Sequence, residues 1–298
     1  MDRASEPQGF DYVGMCIRPP SEADSILIQA TLGCSHHKCT FCGSYGDKRF
    51  AIKSQATLES DLAFAQKYCR RQDRLFVMDG DALIMPMAKW EWLLTQIKER
   101  LPWVKRVGSY GNAKGVSLKS DDDLKRLKEL GLGIVYLGVE SGHPQVLKDI
   151  CKGSTPEKLI AQGRRLKAAG LRLSVTVLLG IGGTARSLEH ARATGELLTA
   201  MDPDFVGALT LMLIPGTPLG EQARAGSFNL PDAPAMLAEL REMIAHTSLS
   251  GGLFYANHAS NYLPIKARLP QDQQRTLALI DQALGGRVQL RPEWMRGL

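Results

Sequence analysis

The sequence predicts an α/β protein whose parallel sheet, covered by helices, curls into a partial (β/α)6 TIM-like barrel followed by a C-terminal α+β extension. Two observations lead to this fold class. Short apolar runs of β type alternate with segments of helical period as far as residue 212. There are six such runs, and helical segments follow five of them, which is the order that right-handed crossovers wind into a barrel.

The elements divide the chain into three parts. Residues 1–23 are expected to form an N-terminal extension, residues 24–220 the barrel, and residues 221–298 an extension that covers the barrel mouth. The predicted strands are Ile26–Thr31, Arg74–Met78, Val104–Tyr110, Ile134–Val139, Leu171–Leu179 and Phe205–Met212. Helices are predicted at about 58–70, 86–100, 120–130, 156–169, 187–201, 234–246 and 271–284, with a further strand at 253–256.

Composition limits the classes of function. Apolar residues make up 44% of the 298, no apolar run reaches the ~18 residues of a membrane span, and the N-terminus has no signal-peptide core. We therefore expect a cytoplasmic protein, in which clustered cysteines bind metal more often than they pair. The net charge is +6, but the basic residues are scattered, which favours a solvated surface over a nucleic-acid site.

Three of the six cysteines fall within nine residues after the first predicted strand. Cys34, Cys39 and Cys42 have the spacing C-x4-C-x2-C, which indicates a metal site. One interpretation is structural zinc with His36 or His37 as fourth ligand. The other is a cubane iron–sulfur cluster held by three thiolates, with one iron left open. The loop by itself leaves both interpretations open.

Polar residues and glycines follow the other predicted strands. Because barrels place their chemistry at the carboxyl ends of the strands, these positions are candidates for the site. They are Asp79, Gly80 and Asp81 after strand two, Ser109, Tyr110 and Asn112 at strand three, Glu140 and Ser141 after strand four, Gly180–Gly183 after strand five, and Pro215 and Thr217 after strand six.

At these positions the chain resembles the radical S-adenosylmethionine (SAM) enzymes, over about residues 24–220. Phe41 precedes the last cysteine, where the family has an aromatic residue beside the SAM adenine. Asp79–Asp81 stands where the family has a Gly-Gly-Glu-like turn that receives the SAM amino group. The family spacing is C-x3-C-x2-C, so this chain has one more residue between its first two cysteines.

Three further stretches resemble the branch that contains oxygen-independent coproporphyrinogen oxidases and methylthiotransferases. Val139–Gly142 reads VESG and is followed by Val146-Leu147, like the family stretch that carries a polar contact to SAM. Leu179–Gly183 resembles the glycine-rich motif that lines the adenine. Pro215–Leu219 reads PGTPL, which also recurs in that branch.

The resemblance implies one [4Fe–4S] cluster on Cys34, Cys39 and Cys42, reductive cleavage of SAM, and a flavodoxin- or ferredoxin-type electron donor. His36 and His37 then shield the cluster, and Cys16, Cys69 and Cys151 are not ligands. The residues expected to border SAM are Phe41, Asp79, Gly80, Asp81, Ser109, Glu140, Ser141, Leu179 and Gly180.

The substrate cannot be read from these motifs, and a small molecule is the leading hypothesis. Candidate substrate contacts are Tyr45, Tyr110, His258 and Tyr262, and the loop Asn257–Leu263 is expected to lie over the same rim as the cysteines. One alternative is a radical SAM enzyme that modifies RNA. The other, from a different class, is a zinc-binding interaction protein without catalysis.

Overall fold

The computed structural model describes residues 9–46 and 48–297, so the first eight residues of the predicted N-terminal extension lie outside the described part. Its strands are β1 (Ile26–Gln29), β2 (Thr31–Leu32), β3 (Ala51–Ile52), β4 (Arg74–Met78), β5 (Arg106–Gly111), β6 (Leu132–Glu140), β7 (Arg172–Leu179), β8 (Phe205–Thr210), β9 (Leu253–Tyr255) and β10 (Lys266–Arg268).

The α-helices follow the predicted alternation and add short ones between strands. They are α1 (Gln55–Tyr68), α2 (Met87–Arg100), α3 (Ala113–Ser117), α4 (Asp121–Glu129), α5 (Pro144–Asp149), α6 (Pro156–Ala168), α7 (Ser187–Met201), α8 (Pro218–Arg224), α9 (Ala233–Ala245) and α10 (Gln273–Leu284). Sequence reasoning missed α3, α5 and α8, which have seven residues or fewer and are too short to show a helical period.

Eight of the described strands form one sheet in the order β1-β4-β5-β6-β7-β8-β9-β10, and β2 and β3 form a separate antiparallel pair. β4 runs parallel to both β1 and β5, and β8 runs parallel to both β7 and β9. All six predicted strands are present. The first ends at Gln29 rather than Thr31, because Thr31 pairs with Ile52 of β3 instead.

The chain separates into two compact units. The first comprises the described residues up to His37 together with Ser44–Tyr136 and Arg165–Arg172. The second comprises Lys38–Gly43, Leu137–Arg164 and the described residues from Leu173 onward. The three-part division predicted from the sequence stays a prediction.

In the first unit, α1 has the apolar face that its sequence predicts. Leu58, Leu62 and Ala65 are fully buried, and the Ser54 side chain caps the helix by accepting a hydrogen bond from the Thr57 amide at 3.1 Å. α4 begins with a capping box between Ser120 and Asp123, and its three acidic residues occupy the first turn as predicted.

The described part of the N-terminal extension is fixed to the first unit by polar contacts. The Tyr12 hydroxyl donates to the Leu27 carbonyl at 2.9 Å. Glu22 is fully buried, accepts from the Tyr136 hydroxyl at 2.5 Å and pairs with the Arg106 guanidinium at 2.6 Å. A buried carboxylate needs such partners, so the extension is built into this unit at Glu22.

In the second unit, α7 and α9 approach each other closely. A Cβ atom at Gly195 of α7 would lie 2.6 Å from the Met243 carbonyl of α9, so only glycine permits this approach. The loop after β9 is fixed to the carboxyl end of β8. The Asn261 side chain donates to the Ala208 carbonyl at 2.9 Å and accepts from the Thr210 hydroxyl at 3.0 Å. Across the described residues of both units, no helix combines the length and the apolar character that crossing a bilayer requires.

Candidate cofactor site

A network of buried polar groups lies at the carboxyl end of β4, in the first unit. Asp79 is fully buried, and its Oδ2 atom accepts hydrogen bonds from the Lys48 ammonium at 2.9 Å, the Gly33 amide at 3.2 Å and the Gln29 side chain at 3.3 Å. The Asp79 amide donates to the Thr31 hydroxyl at 3.1 Å. The residue before Cys34 is therefore fixed to the Asp-Gly-Asp turn.

Asp81 joins the other side of this turn to the cysteine loop. Its Oδ2 atom accepts from the Ser35 hydroxyl and, at 2.7 Å, from the Asn112 amide. Burial raises the pKa of Asp81 from 3.8 to about 6. Between the two aspartates, a Cβ at Gly80 would lie 2.6 Å from the Tyr45 ring, so the ring of this predicted substrate contact lies directly against the turn.

Each of these aspartates keeps one oxygen without a partner. Asp79 Oδ1 and Asp81 Oδ1 are buried and accept no hydrogen bond within the described part of the chain. An unsatisfied buried carboxylate oxygen is costly, and such an atom calls for an explanation when it occurs in a native protein. Two of them on one turn fit a ligand that brings N–H donors to this point, as the amino group of SAM does.

The second half of the cysteine loop belongs to the second unit. The Thr40 amide donates to the Ile150 carbonyl after α5 at 3.0 Å, and the Thr40 carbonyl accepts from the Leu219 amide of α8 at 2.9 Å. A Cβ at Gly43 would lie 2.9 Å from the Ile214 side chain. The PGTPL stretch thus leads into α8, and its last residue, Leu219, holds the backbone between Cys39 and Cys42.

All six cysteines are thiols rather than disulfides, which suits metal ligation. Cys34 and Cys39 are partly exposed and Cys42 is exposed. Within residues 9–46 and 48–297, no three His, Cys, Asp or Glu side chains already surround a metal position. The assignment of the three cysteines as ligands therefore rests on their spacing and on the family.

Glu140 adopts a backbone conformation that is unusual for its type. Its φ is +65°, in the left-handed region, which costs free energy for a residue other than glycine and is found most often at functional sites. Its side chain is nearly buried and pairs with the Lys152 ammonium at 2.8 Å. This ion pair directs the carboxylate to Lys152, a partner that the sequence does not indicate.

Ser141 uses its hydroxyl within the protein. Its Oγ atom lies 2.8 Å from His190 Nδ1 and accepts from the His143 amide at 2.9 Å. The next residue, Gly142, donates its amide to the Thr194 hydroxyl at 2.9 Å. The segment after β6 is therefore tied to α7 by two side chains.

The glycine-rich segment after β7 is tied to α9. Gly180 has a φ of +82° and donates its amide to Glu239 Oε1 at 2.6 Å. Glu239 Oε2 accepts from the Ser187 hydroxyl, and the whole Glu239 side chain is buried. Leu179 continues the sheet, since its carbonyl accepts from the Leu211 amide at 2.9 Å.

The remaining predicted site residues differ in their burial and in their contacts. Ser109 is buried and its hydroxyl donates to the Tyr110 carbonyl at 3.0 Å, while Phe41 is partly exposed. The Tyr110 ring packs edge-on against Phe76, with centroids 4.9 Å apart, and burial raises its pKa. The Arg296 guanidinium lies 3.8 Å from the centroid of the Tyr262 ring.

His258 lies in the loop that is fixed to the end of β8. Its Nδ1 atom is 2.9 Å from the Ser260 hydroxyl and accepts from the Ser260 amide at 3.2 Å, which leaves the proton of the neutral ring on Nε2. Burial and then the charge of Arg291 lower the pKa of His258. The side chain is therefore a neutral donor.

Sequence reasoning missed several residues of these networks, among them Gln29, Lys48, His190 and Glu239. Glu239 had a usable signal. It lies three residues after Met236 and one before Leu240, on the face of α9 that is buried, and an acidic residue on an apolar face must be satisfied by a specific partner. Lys48 had none, because its partner Asp79 is 31 residues away.

Comparisons with known proteins agree with this architecture. A family model described as the radical SAM superfamily matches residues 28–194, more than half of the chain. An uncharacterised methyltransferase of Pyrococcus horikoshii is 33% identical over 106 residues, which are 36% of this chain and 23% of that protein. The chain thus matches less than a quarter of the length of this curated relative.

Two solved structures share the fold at low identity. A radical SAM methyltransferase from Kitasatospora setae, determined with cobalamin and a [4Fe–4S] cluster bound, has a TM-score of 0.54 at 18% identity and covers 89% of this chain and 54% of its own. Coproporphyrinogen III oxidase from Escherichia coli, a radical SAM enzyme, has a TM-score of 0.53 at 16% identity and covers 74% of this chain and 50% of its own.

The family match over more than half of the chain, on a sheet with parallel strands, thus assigns the chain to a class of SAM-dependent iron–sulfur proteins. The chain belongs to the radical SAM superfamily. It is an enzyme with the partial TIM-like barrel of that superfamily, and its cofactors are a [4Fe–4S] cluster and SAM. The predicted family, fold class and cofactors are confirmed, and the zinc-binding protein without catalysis is set aside.

Replacing Lys48 by Met should strongly destabilise the first unit. It would leave the buried Asp79 carboxylate without its cation, and removing one partner of a buried ion pair costs about 3–5 kcal/mol. Urea unfolding of the variant measures the loss. Arg49→Met is the matched control, because Arg49 is exposed, and it should change the free energy of unfolding by less than about 0.5 kcal/mol. Equal stability of the two variants would show that Lys48 does not balance a buried charge.

The stability of the second unit should depend on pH through Glu239. Burial raises the pKa of this carboxyl from 4.5 to about 7. Between these values the native state holds a proton that the unfolded chain has released, so the free energy of unfolding falls as pH rises and levels off above pH 7. Over this range wild type should lose up to about 3 kcal/mol relative to Glu239→Gln, which has no titrating group there. Parallel unfolding curves for the two proteins at each pH would contradict the assignment.

Proposed function

We propose that this enzyme holds one [4Fe–4S] cluster on Cys34, Cys39 and Cys42, cleaves SAM reductively and so starts radical chemistry on a small-molecule substrate. The observation that supports this best is the fixed backbone of the cysteine loop. Gly33 is hydrogen-bonded to Asp79 on one side of Cys34, and Thr40 is hydrogen-bonded through both its amide and its carbonyl. Each part of the loop is held within its own unit, so less entropy is lost when its thiolates are ordered to bind a cluster.

The Asp79–Asp81 turn is the proposed site for the amino group of SAM. The two unpartnered Oδ1 atoms are buried acceptors, and an ammonium group offers three donors that could satisfy them. A hydrogen bond from a cation to a carboxylate is stronger than one between neutral groups. The family receives this amino group at its Gly-Gly-Glu-like turn, and Asp79–Asp81 stands at the corresponding place in this chain.

We propose that the other residues predicted to border SAM do so because of where they lie in the secondary structure. Glu140 and Ser141 follow β6, Leu179 and Gly180 end β7, and Phe41 lies between the second and third cysteines. The hydroxyl of Ser141 already donates to His190 and accepts from His143, so we assign its contribution to SAM binding to the backbone. Ser109 lies in β5, and we propose that it borders SAM from that strand.

When bound, the cluster supplies the electron that cleaves a carbon–sulfur bond of SAM. The protein's own residues orient the cofactor and keep water and oxygen away from it. Enzymes of this family take the electron from an external donor, and we propose a flavodoxin- or ferredoxin-type protein for this role. The cytosolic location expected from the sequence fits such a donor and stays a prediction.

Tyr45, Tyr110, His258 and Tyr262 are the proposed substrate contacts. Tyr45 lies against the turn assigned to SAM, and His258 offers a neutral N–H donor from a loop fixed to the end of β8. Arg291 donates to the carbonyls of His258, Ala259 and Asn261, so this loop is held in one conformation. The scattered basic residues favour a small molecule over RNA.

Each of the variants Cys34→Ala, Cys39→Ala and Cys42→Ala should lose the cluster. After anaerobic reconstitution, we expect wild type to bind about four irons per chain and to show a broad absorption near ~400 nm, and each variant to bind well under half of that iron. Cys69→Ala and Cys151→Ala are the controls and should keep full iron. A triple variant of the loop with full iron and colour would show that the ligand assignment is wrong.

The reaction is tested on the same reconstituted protein. Mass analysis of SAM products after reduction should show cleavage by wild type and none by the cysteine variants. A screen of small-molecule extracts should then find a compound that is consumed together with SAM. Conversion of tRNA but of no small molecule, with binding that weakens steeply in salt, would replace the small-molecule proposal by RNA modification.

A further inference from the structure

His190 of α7 connects the two segments of the second unit that the proposed function assigns to SAM. It is fully buried, and burial lowers its pKa to about 4, so the ring is neutral near pH 7. Its Nε2 atom lies 3.1 Å from the Leu178 carbonyl, which can only accept, so Nε2 carries the proton. Nδ1 must then accept, and the Ser141 hydroxyl at 2.8 Å is its donor.

This assignment fixes the direction of every hydrogen bond around His190. Ser141 donates to Nδ1 and accepts from the His143 amide, while Thr194 donates to the His190 carbonyl at 2.6 Å and accepts from the Gly142 amide. The Ser141 and Thr194 hydroxyls can each donate one hydrogen bond, and each donates it to His190. The segment after β6 and the last residues of β7 are thereby linked through one imidazole.

Glu239 of α9 holds the glycine-rich segment in place through hydrogen bonds, as His190 does for the segment after β6. Its two oxygens accept from the Gly180 amide and from the Ser187 hydroxyl, which lie on either side of the Gly180–Gly183 turn. His190 Nε2 lies 3.5 Å from Glu239 Oε1, so the two side chains are adjacent. Both are fully buried, and their polar atoms therefore have to be satisfied by these partners.

We propose that His190 and Glu239 form a positioning pair that sets the backbone of Glu140–Gly142 and of Gly180–Gly183 for binding SAM, although neither residue touches it. This inference rests on the proposed function, because that function assigns the two segments to SAM. The left-handed conformations of Glu140 and Gly180 are the feature that the pair maintains. A segment whose conformation is fixed before the ligand arrives binds it with less loss of entropy.

The test compares apolar and polar replacements of the same two residues on reconstituted protein. Leu in His190→Leu and Glu239→Leu fills the space without hydrogen bonds, and we expect each variant to weaken SAM affinity at least about tenfold by calorimetry. Gln in His190→Gln and Glu239→Gln can both donate and accept, and should keep the affinity within about threefold of wild type. Iron content should be the same in all four.

Thr247→Val is the matched control for loss of a buried hydrogen bond. Thr247 is fully buried and donates to the Met243 carbonyl of α9, but contacts neither segment through this bond. It should lower stability without changing SAM affinity. If His190→Leu fails to fold, Ser141→Ala combined with His190→Leu removes both partners of their hydrogen bond at once and should fold while showing the same loss of affinity. If Glu239→Leu fails to fold, Ser187→Ala, which removes one of the two donors to Glu239, is measured in its place and should also weaken SAM affinity.

Amide hydrogen exchange supplies a readout that needs no cofactor. Glu239→Leu should speed exchange of the Gly180 amide, and Glu239→Gln should not. Folded Leu variants that bind SAM as tightly as wild type would overturn the positioning pair. If wild type itself binds no SAM after it has taken up its cluster, the proposed function fails, and unchanged exchange of Gly180 in Glu239→Leu would then refute the pair separately.

Discussion

The central constraint on this protein is the burial of two carboxylates at the carboxyl end of β4. Asp79 and Asp81 are separated by one glycine, and both are removed from solvent. A buried carboxylate has to be neutralised or hydrogen-bonded, and the partners that do so here come from the start of the cysteine loop, from Lys48 and from the end of β5. Lys48 and the Gly33 amide donate to Oδ2 of Asp79, whereas Ser35 and Asn112 donate to Oδ2 of Asp81. The hydrogen bonds that stabilise the two buried carboxylates thus fix the positions of the start of the cysteine loop and of the end of β5.

The second unit solves a similar problem with a different pair of groups. Glu239 and His190 are buried side by side, but neither has a counter-ion like Lys48. The raised pKa of Glu239 and the lowered pKa of His190 both follow from burial, and both changes favour the neutral form. Neutral groups can still exchange directed hydrogen bonds with the backbone, so this network gives orientation at a lower electrostatic cost. The end of β4 is therefore organised with an ion pair, and the end of β7 with neutral hydrogen bonds.

Sequence reasoning predicted what depends on local pattern. Residues a few positions apart determine the strands, the capped start of α4 and the Asp-Gly-Asp turn. The same holds for the helix face of Leu58, Leu62 and Ala65. The candidate positions after β4, β6 and β7 followed from the same periodicity. What could not be predicted depends on partners far apart in the chain, such as Gly180 with Glu239, 59 residues later. Nor could the sequence show that the hydroxyl of Ser141 is turned inward to His190, because that direction is set by the packing of α7.

The position of Glu239 limits how far this chain can be shortened from its C-terminal end. The family match ends at residue 194, which lies within α7 and before β8. A fragment that stopped there would lack α9, and the Gly180 amide and the Ser187 hydroxyl would lose the carboxylate that accepts from both of them. A fragment that keeps both hydrogen bonds of Glu239 within an intact α9 therefore extends at least to Ala245. The region matched by the family is therefore shorter than the region that holds the Gly180–Gly183 turn in place. A domain cut at the end of the family match would lack the Glu239 carboxylate that accepts from the Gly180 amide.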